Sequence, residues 1–346
     1  MTGMSNFDSV DFFTDASLIP DPYPYFEHLR KCCPVMPQPD QGVMAITGHR
    51  EALAVYKDPA FSSCVSVAGP FSGLPFEKGV GFADQLKQFN PIVADSPAAA
   101  GRDAELLVTM VADDAALEDV MLGPHGTLAT LPRGAIHVSM STISPALARR
   151  LAELHKAAGQ TYVAAPVFGR PEAAEAKQLW IVAAGAPEAL ERCRPVLEAM
   201  GQGVTVTGDD PPRANVIKLA GNFLLAAAIE AMGEAFALAR KYGVAPAELL
   251  DIVNGRLFRS PIYENYGKLI AEERYEPAGF KLKYGLKDIR LALGAADEVA
   301  APMPLASLIR DRYLSGVARG WTEIDWAGLA RIAAADAGLS PPRSPG

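Results

Sequence analysis

Long apolar runs are absent from the sequence, which has no stretch of the roughly 18 apolar residues that a membrane-spanning helix requires. Basic residues do not dominate either: 32 Lys and Arg stand against 40 Asp and Glu, and the formal net charge is -8. Such a surface repels a phosphate backbone, so we expect no nucleic-acid partner. The first residues, MTGMSNFDSVDFF, are acidic and lack the apolar core of a signal peptide. We therefore expect a cytoplasmic protein that does not contact a membrane.

Cysteine is scarce, and its spacing does not suit a metal site. The chain has 4 cysteines (Cys32, Cys33, Cys64 and Cys193), and the adjacent pair cannot readily chelate one tetrahedral ion. No CxxC or HExxH string occurs, and the 5 histidines are scattered along the chain. We expect reduced thiols and no bound metal.

The sequence does contain a clear change of pattern along the chain. Residues 1–91 form an N-terminal fragment and linker; within it residues 11–77 are irregular and rich in proline, with a short strand in GVMAITG between two short helices. Between about residues 92 and 209, strand-like runs such as ELLVTMVAD and GAIHVSMS alternate with helices, which indicates a layered α/β domain with much parallel sheet. From residue 210 to about 339 the pattern is wholly helical, and residues 340–346 form a tail.

The long helical run ANVIKLAGNFLLAAAIEAMGEAFALARKYG carries two polar residues on one face, Lys218 and Asn222, which are four positions apart. A lysine on a helix is usually solvated. This one interrupts an almost wholly apolar helix, where burying a charge without a purpose is costly. Because burial lowers the pKa of an ammonium toward neutrality, Lys218 is suited to donating and accepting a proton.

Four further strings accompany VIKLAGNFL in a fixed order: TMVADD, MSTISP, AAPVFGRPEAA and FKLKYGLKDIRLAL. With them, residues 92–339 resemble the β-hydroxyacid dehydrogenase family, which includes the 3-hydroxyisobutyrate dehydrogenases. The resemblance implies a Rossmann-type domain at 92–209, followed by an all-α domain at 210–339 for substrate binding and homo-oligomer formation. It also implies hydride transfer between NAD or NADP and a small hydroxyacid, or a related carbonyl compound or alcohol.

The same resemblance implies roles for individual residues. Lys218 and Asn222 would be catalytic, with the amide of Asn222 holding the ammonium or the substrate oxygen. The backbone of Val111 and Ala112, where the family usually has Leu-Pro, would border the cofactor ribose. Lys287 would approach the nicotinamide ribose. The alternative for Val111 and Ala112 is that they simply end a core strand, and the alternative for Lys287 is a surface ion pair.

The MSTISP string places two hydroxyls before a helix. Ser141 would contact the substrate and Thr142 the nicotinamide, although a Ser or Thr at this place is also an ordinary helix cap. In AAPVFGRPEAA the family's serine and second glycine are replaced by Phe168 and Arg170, with Gly169 kept between them. All three would line the substrate site. Phe168 removes a hydroxyl donor, and Arg170 is either a carboxylate clamp or a solvated side chain.

The N-terminal segment carries a second resemblance. DPYPYFEHLR, followed by GVMAITGHREALAVYKDPAFSS, resembles the N-terminal edge of haem-thiolate monooxygenases (the cytochrome P-450 superfamily) over residues 11–77. Monooxygenation needs a cysteine thiolate in a glycine-containing loop near the C-terminus. Because the last cysteine, Cys193, lies in the predicted helix PEALERCRPVLEAM, we expect no haem.

No GxGxxG string, whose backbone amides would hold the cofactor pyrophosphate, occurs in the sequence. KGVGF has Gly79 and Gly81, but Ala83 and Asp84 follow, so we expect a loop there. The absence predicts an incomplete Rossmann-type domain with negligible NAD(P)H affinity and turnover for the isolated chain. Two alternatives to an oxidoreductase follow: an impaired fused or truncated chain that serves as a helical oligomerisation module, and a small-molecule-binding module without redox chemistry.

Overall fold

The structure, a computed structural model, describes residues 94–339 and two short strands, β1 (Val35–Gln38) and β2 (Val43–Ile46). The two strands pair antiparallel, and β2 confirms the strand predicted in GVMAITG. This hairpin belongs to one compact unit of the chain, and the residues from Ala94 onward belong to another. The two helices predicted beside the hairpin and the loop predicted at Gly79–Gly81 lie outside the described residues.

The α/β region begins with a parallel three-stranded sheet. Its elements are α1 (Pro97–Gly101), β3 (Leu106–Thr109), α2 (Asp114–Leu122), β4 (Ile136–Ser139), α3 (Pro145–Ala157) and β5 (Thr161–Ala164). The strand order is β3-β4-β5, and Leu106, Ile136 and Thr161 stand side by side. Because the strands are parallel, their carboxyl ends meet at one edge, where nucleotide-binding sheets hold their ligands. The TMVADD and MSTISP strings both begin at this edge.

A second sheet follows, made of β6 (Val167–Phe168), α4 (Pro171–Glu175), β7 (Leu179–Ala183), α5 (Pro187–Met200) and β8 (Gly201–Val206). β6 runs antiparallel to β7, and β7 runs parallel to β8. The string QTYVAAPV contributes to both sheets, because the chain leaves the first sheet after Ala164 and enters the second at Val167. Pro166 lies between them and has no N–H to continue the ladder. A backbone bridge between Ala164 and Ala184 joins the two sheets.

The remainder of the described chain is helical, as predicted. It consists of α6 (Pro212–Lys241), α7 (Pro246–Arg256), α8 (Pro261–Ala271), α9 (Leu282–Glu298), α10 (Pro304–Ala318), a 3-10 turn (Trp326–Gly328) and α11 (Leu329–Asp336). Four of these helices begin with proline, whose missing N–H has no partner in a first helical turn anyway. A core that includes Ile229 and Tyr313 lies between them. Gly233 lets α11 approach α6, since a methyl group there would lie 2.6 Å from Ala330 Cα.

By length and composition, α6 is the one helix in the described residues that could cross a membrane. Central helices of soluble domains have the same properties. Here, 44% of its most apolar 18-residue stretch is buried inside the protein. The helix also buries polar side chains, namely Asn215, Lys218, Asn222 and Glu230. Since such groups are costly in lipid, we interpret α6 as the central helix of the helical region.

A directional chain of hydrogen bonds crosses the first sheet beneath α3. Gln160 Nε2 donates to two backbone carbonyls, so its Oε1 accepts from His155 Nδ1 at 2.7 Å. His155 Nε2 then accepts from His137 Nδ1 at 2.9 Å, and His137 Nε2 accepts from Thr109 Oγ1 at 2.8 Å. Both rings are fully buried, and this network requires both to be neutral.

The histidine chain predicts a loss of stability in acid. Burial lowers the pKa of His155 from 6.5 to about 4, and burial together with His155 lowers that of His137. Below pH 6.5 the unfolded chain therefore binds more protons than the folded one, so this stability is present above pH 6.5 and is lost as the pH falls toward 4. For His155 the loss is expected to reach about 3 kcal/mol.

Urea unfolding at neutral and mildly acid pH measures this effect. His155→Gln is expected to flatten the pH dependence of the free energy of unfolding. The exposed His125, changed to Gln, serves as the control and should leave the dependence unchanged. An unaltered slope in His155→Gln would show that acid acts elsewhere.

Candidate active site

Lys218 and Asn222 lie together on α6, as their spacing requires, and a carboxylate from α9 completes the group. Lys218 Nζ donates to Asn222 Oδ1 at 2.9 Å, and Asn222 Nδ2 donates to Asp288 Oδ2 at 2.5 Å. All three residues are buried, with relative exposures of 8%, 4% and 1%. Asp288 therefore fixes which way the Asn222 amide points.

Burial controls the acidity of this lysine. Desolvation lowers the pKa of Lys218 from 10.5 to about 8, although the negative charge of Asp288 opposes the shift, and Lys287 adds to it. An ammonium with such a pKa exchanges its proton near neutral pH, which is the property required of a general acid or base. The lysine is thus buried and hydrogen-bonded, and its pKa suits proton transfer.

Lys287 lies at the start of α9 and contacts both loops at the carboxyl edge of the first sheet. Its Nζ donates to the carbonyl oxygens of Ala112 at 2.9 Å and Thr142 at 2.8 Å. The same nitrogen lies 2.9 Å from Asp288 Oδ1. Two of the three hydrogens of this ammonium are thus engaged by backbone carbonyls, and the contact with Asp288 is an ion pair. Lys287 thereby holds the two loops to the helix that carries Asp288.

The two loops are also bound to each other. Ser141 is buried, and its Oγ accepts from Val111 N at 2.8 Å. Ser144 N donates to Asp114 Oδ1 at 2.9 Å, so the start of α3 is bound to the start of α2. Ala112 is exposed and Thr142 is half-buried, so the edge is open to a ligand. The structure therefore brings Ser141, Thr142, Val111 and Ala112 together at this edge.

Phe168 lies directly against the catalytic candidate. The Lys218 ammonium is 4.3 Å from the centroid of its ring, a cation–π contact. The ring fits against α6 at Gly221, where a methyl group would lie 2.6 Å from Phe168 Cε1. A side chain at position 221 would thus displace the ring. Gly169 follows with φ +146, a backbone conformation that favours glycine.

Arg170 is half-buried and pairs with a carboxylate of the protein itself. Its Nη2 donates to Asp325 Oδ2 at 2.6 Å, and its guanidinium lies 5.5 Å from the ring centroid of Tyr266. Burial lowers the pKa of Arg170, but the Asp325 carboxylate outweighs this and raises it above the ordinary value. The same carboxylate oxygen accepts from the backbone N–H groups of Gly279 and Phe280. Arg170 therefore connects the second sheet to the helical region.

Sequence reasoning missed Asp325, which lies 155 residues from its partner Arg170. The only local signal is an Asp directly before WAGL, where its side chain accepts from Ala327 N and caps the 3-10 turn. Within residues 94–339, no group of three or more His, Cys, Asp or Glu side chains is arranged to hold a metal ion. Cys193 is buried in α5, which raises the pKa of its thiol to about 11 and makes it a poor nucleophile.

Both the α/β region and the helical region match models of known protein families. The NAD binding domain of 6-phosphogluconate dehydrogenase matches residues 80–208, and the NAD-binding domain of NADP-dependent 3-hydroxyisobutyrate dehydrogenase matches residues 213–333. An uncharacterized oxidoreductase of Bacillus subtilis, YfjR, is 42% identical over 238 residues, which is 69% of this chain and 83% of that protein. The chain belongs to the β-hydroxyacid dehydrogenase family.

Two further relatives of this family carry the 3-hydroxyisobutyrate dehydrogenase name. The Pseudomonas aeruginosa enzyme is 33% identical over 227 residues, covering 64% of this chain and 76% of that one. The Mycobacterium tuberculosis enzyme, whose structure was determined with L-serine, is 26% identical with a TM-score of 0.64 and covers 72% of this chain and 86% of its own. The predicted Rossmann-type domain followed by a helical domain is thus confirmed, and the family's cofactors are NAD or NADP.

Proposed function

We propose that this β-hydroxyacid dehydrogenase transfers a hydride between NAD or NADP and a small hydroxyacid, or a related carbonyl compound or alcohol. The observation that carries the proposal is the buried Lys218, bonded to Asn222 and with its pKa lowered to about 8. Its neighbours lie at the carboxyl edge of a parallel sheet, where nicotinamide cofactors bind in such folds. The family matches on both sides of the site favour this function over an oligomerisation or binding module.

The reaction divides between cofactor and protein. A nicotinamide bound at this edge would supply the chemistry of hydride transfer, a hydride with its electron pair for the carbonyl carbon of the substrate. Lys218 Nζ gives a proton to the carbonyl oxygen, so that an alcohol results, and takes it back in the reverse direction. Asn222 holds Nζ in place, and the Ser141 hydroxyl orients the substrate. The backbone of Val111 and Ala112, with Thr142, borders the nicotinamide and its ribose.

Lys287 has a second role beside the predicted approach to the nicotinamide ribose. Because two of its hydrogens bond the carbonyl oxygens of Ala112 and Thr142, it supports the nicotinamide site by holding the two loops, and its third hydrogen remains for the ribose. Arg170 Nη2 already donates to Asp325, which argues against a bidentate interaction of this guanidinium with a substrate carboxylate. The substrate side of the site is then formed by Ser141, Phe168 and Gly169.

The proposal includes an organisation for the whole chain. Residues 92–209 form a partial nucleotide-binding domain, residues 210–339 form the substrate and oligomerisation domain, and residues 340–346 are a tail. Residues 1–91 are a monooxygenase-like fragment and linker that supply neither haem chemistry nor the glycine turn for the pyrophosphate. We further propose that the chain assembles as a homo-oligomer through its helical domain and acts in the cytoplasm.

Isotope transfer tests the proposed chemistry even when turnover is slow. The full chain is incubated with a panel of aldehydes and ketones and with millimolar NADH or NADPH deuterated at the hydride position. Deuterium on the carbinol carbon of the product, detected by mass spectrometry, is the expected result. If no carbonyl compound acquires deuterium with either cofactor, while a related enzyme in the same assay labels its product, the chain is not a dehydrogenase.

A further inference from the structure

The side chain opposite Lys218 determines which substrate group can lie beside the reacting carbonyl. The ammonium is 4.3 Å from the Phe168 ring centroid and is bonded to Asn222 on its other side. A substrate whose carbonyl oxygen accepts the Lys218 proton must therefore place a neighbouring group against the ring. A phenyl ring donates no hydrogen bond, and its face is electronegative, which suits an apolar group and disfavours an anion.

The position of the Phe168 ring is fixed by the fold. Phe168 lies in β6, directly opposite Trp180 of β7. Its ring occupies the space that Gly221 leaves on α6, because a methyl group there would come within 2.6 Å of Cε1. The strand and the helix together keep the ring over Lys218. Phe168 is therefore part of the wall of the site in the folded protein.

Two further cations of the site, Arg170 and Lys287, have partners already. Arg170, two residues after Phe168, donates to Asp325 at 2.6 Å, and this carboxylate is 1% exposed. Lys287 contacts Asp288 and two carbonyl oxygens. A carboxylate brought to the ring would receive no hydrogen bond from the phenyl group, and the Lys218 ammonium that faces the ring is needed by the carbonyl oxygen of the substrate. Burying an anion without a partner is costly.

We propose that Phe168 is a specificity-determining residue that selects uncharged carbonyl compounds with an apolar substituent, and that it disfavours those with a carboxylate at this place. The inference rests on the proposed function and narrows its substrate class. Hydride and proton transfer are unchanged: the aldehyde gains a hydride at carbon and the Lys218 proton at oxygen, and leaves as the alcohol.

Matched substrates test the selectivity by kinetics. Butanal is compared with 4-oxobutanoate, and acetaldehyde with glyoxylate, so that each pair differs in a methyl group against a carboxylate. The wild-type chain is expected to favour the uncharged member by about tenfold or more in kcat/KM, in the range that pocket contacts give. Phe168→Ser is expected to remove most of this preference, since it replaces the ring with a hydroxyl donor.

Two glycine variants separate the ring's position from general effects on the helices. Gly221→Ala should displace the ring and shift the preference in the same direction as Phe168→Ser. Gly294→Ala is the matched control, because a methyl group at that position of α9 meets nothing within 4 Å. It should leave the preference as in the wild type. An effect of Gly294→Ala equal to that of Gly221→Ala would overturn the argument from the ring.

Binding of analogues that cannot be reduced tests the selectivity of the site without testing the proposed dehydrogenase function. Butyramide and butyrate have the same shape but differ in charge, and saturation-transfer NMR reports binding of either to the full chain. We expect wild-type binding of the amide only, and a gain of butyrate binding in Phe168→Ser. Equal binding of both by the wild type, or binding of neither, would overturn the inference even if aldehydes are reduced. A lack of reduction with the expected binding would overturn the dehydrogenase function alone.

Discussion

Replacing Lys218 with methionine is expected to lower kcat for carbonyl reduction by about 10²- to 10⁴-fold, the usual contribution of general acid catalysis. Methionine keeps the length of the side chain but carries no proton. Because Lys218 titrates near pH 8, wild-type reduction should fall as the pH rises through 8, and alcohol oxidation should rise over the same interval. In the Lys218→Met variant, neither the rate of reduction nor the rate of oxidation should change with pH near 8. Rates are extrapolated to saturating NAD(P)H from a series of cofactor concentrations, so that wild type and variant are compared in kcat.

A second lysine supplies the control for this variant. Lys281 precedes α9 with 43% of its side chain exposed, and its Nζ lies 2.8 Å from Glu323 Oε2. Lys281→Met removes a charge of the same sign without touching the site, so turnover and the pH profile should be unchanged. Thermal unfolding of both variants shows whether the fold is retained. If Lys218→Met keeps the kcat of the wild type and the pH dependence of its rates near pH 8, another group transfers the proton.

The elements with local signals could be predicted from the sequence. Helices were expected to follow strand-like runs such as ELLVTMVAD, and α2 is one of them, because Asp113 caps its start and Gly123 ends it. Lys218 and Asn222 could be paired because four residues on a helix bring two side chains to one face. In both cases a short string of residues determines the geometry.

Contacts between distant parts of the chain could not be predicted in this way. The ion pair between Arg170 and Asp325 joins residues 155 positions apart, and periodicity says nothing about which carboxylate an arginine will contact. Lys287 binds backbone carbonyls, which every residue has, so no side-chain pattern marks its partners. The ring of Phe168 over Lys218 likewise depends on how the second sheet packs against α6. These contacts form only when the two regions pack together.

Weak cofactor binding is expected because the site has few contacts for the phosphate groups of NAD or NADP, and not because the groups that carry out the reaction are missing. Pyrophosphate is usually held by backbone N–H groups at a glycine turn and a helix N-terminus. In this chain α2 follows the edge strand β3, but its N-terminus carries Asp113 and Asp114, whose side chains accept from Ala116 N and Ser144 N. Two carboxylates at this position repel phosphates. The described part of the site thus offers contacts to the nicotinamide half of the cofactor and few to its phosphates.

We therefore expect NADH and NADPH each to bind the full chain with a dissociation constant above about 1 mM, which corresponds to less than about 4 kcal/mol of binding free energy. Calorimetric titration with each nucleotide measures the dissociation constant, and the KM for the cofactor should also lie above about 1 mM.

Lys287→Ala should weaken the residual binding further, because Ala112 and Thr142 lose the ammonium that holds their loops. Lys283→Ala, whose ammonium contacts Glu323 at the surface, is the control and should change nothing. Micromolar binding of either nucleotide, abolished by Lys287→Ala and retained in Lys283→Ala, would contradict the prediction. Residues 1–91 would then contribute phosphate contacts that their sequence does not reveal.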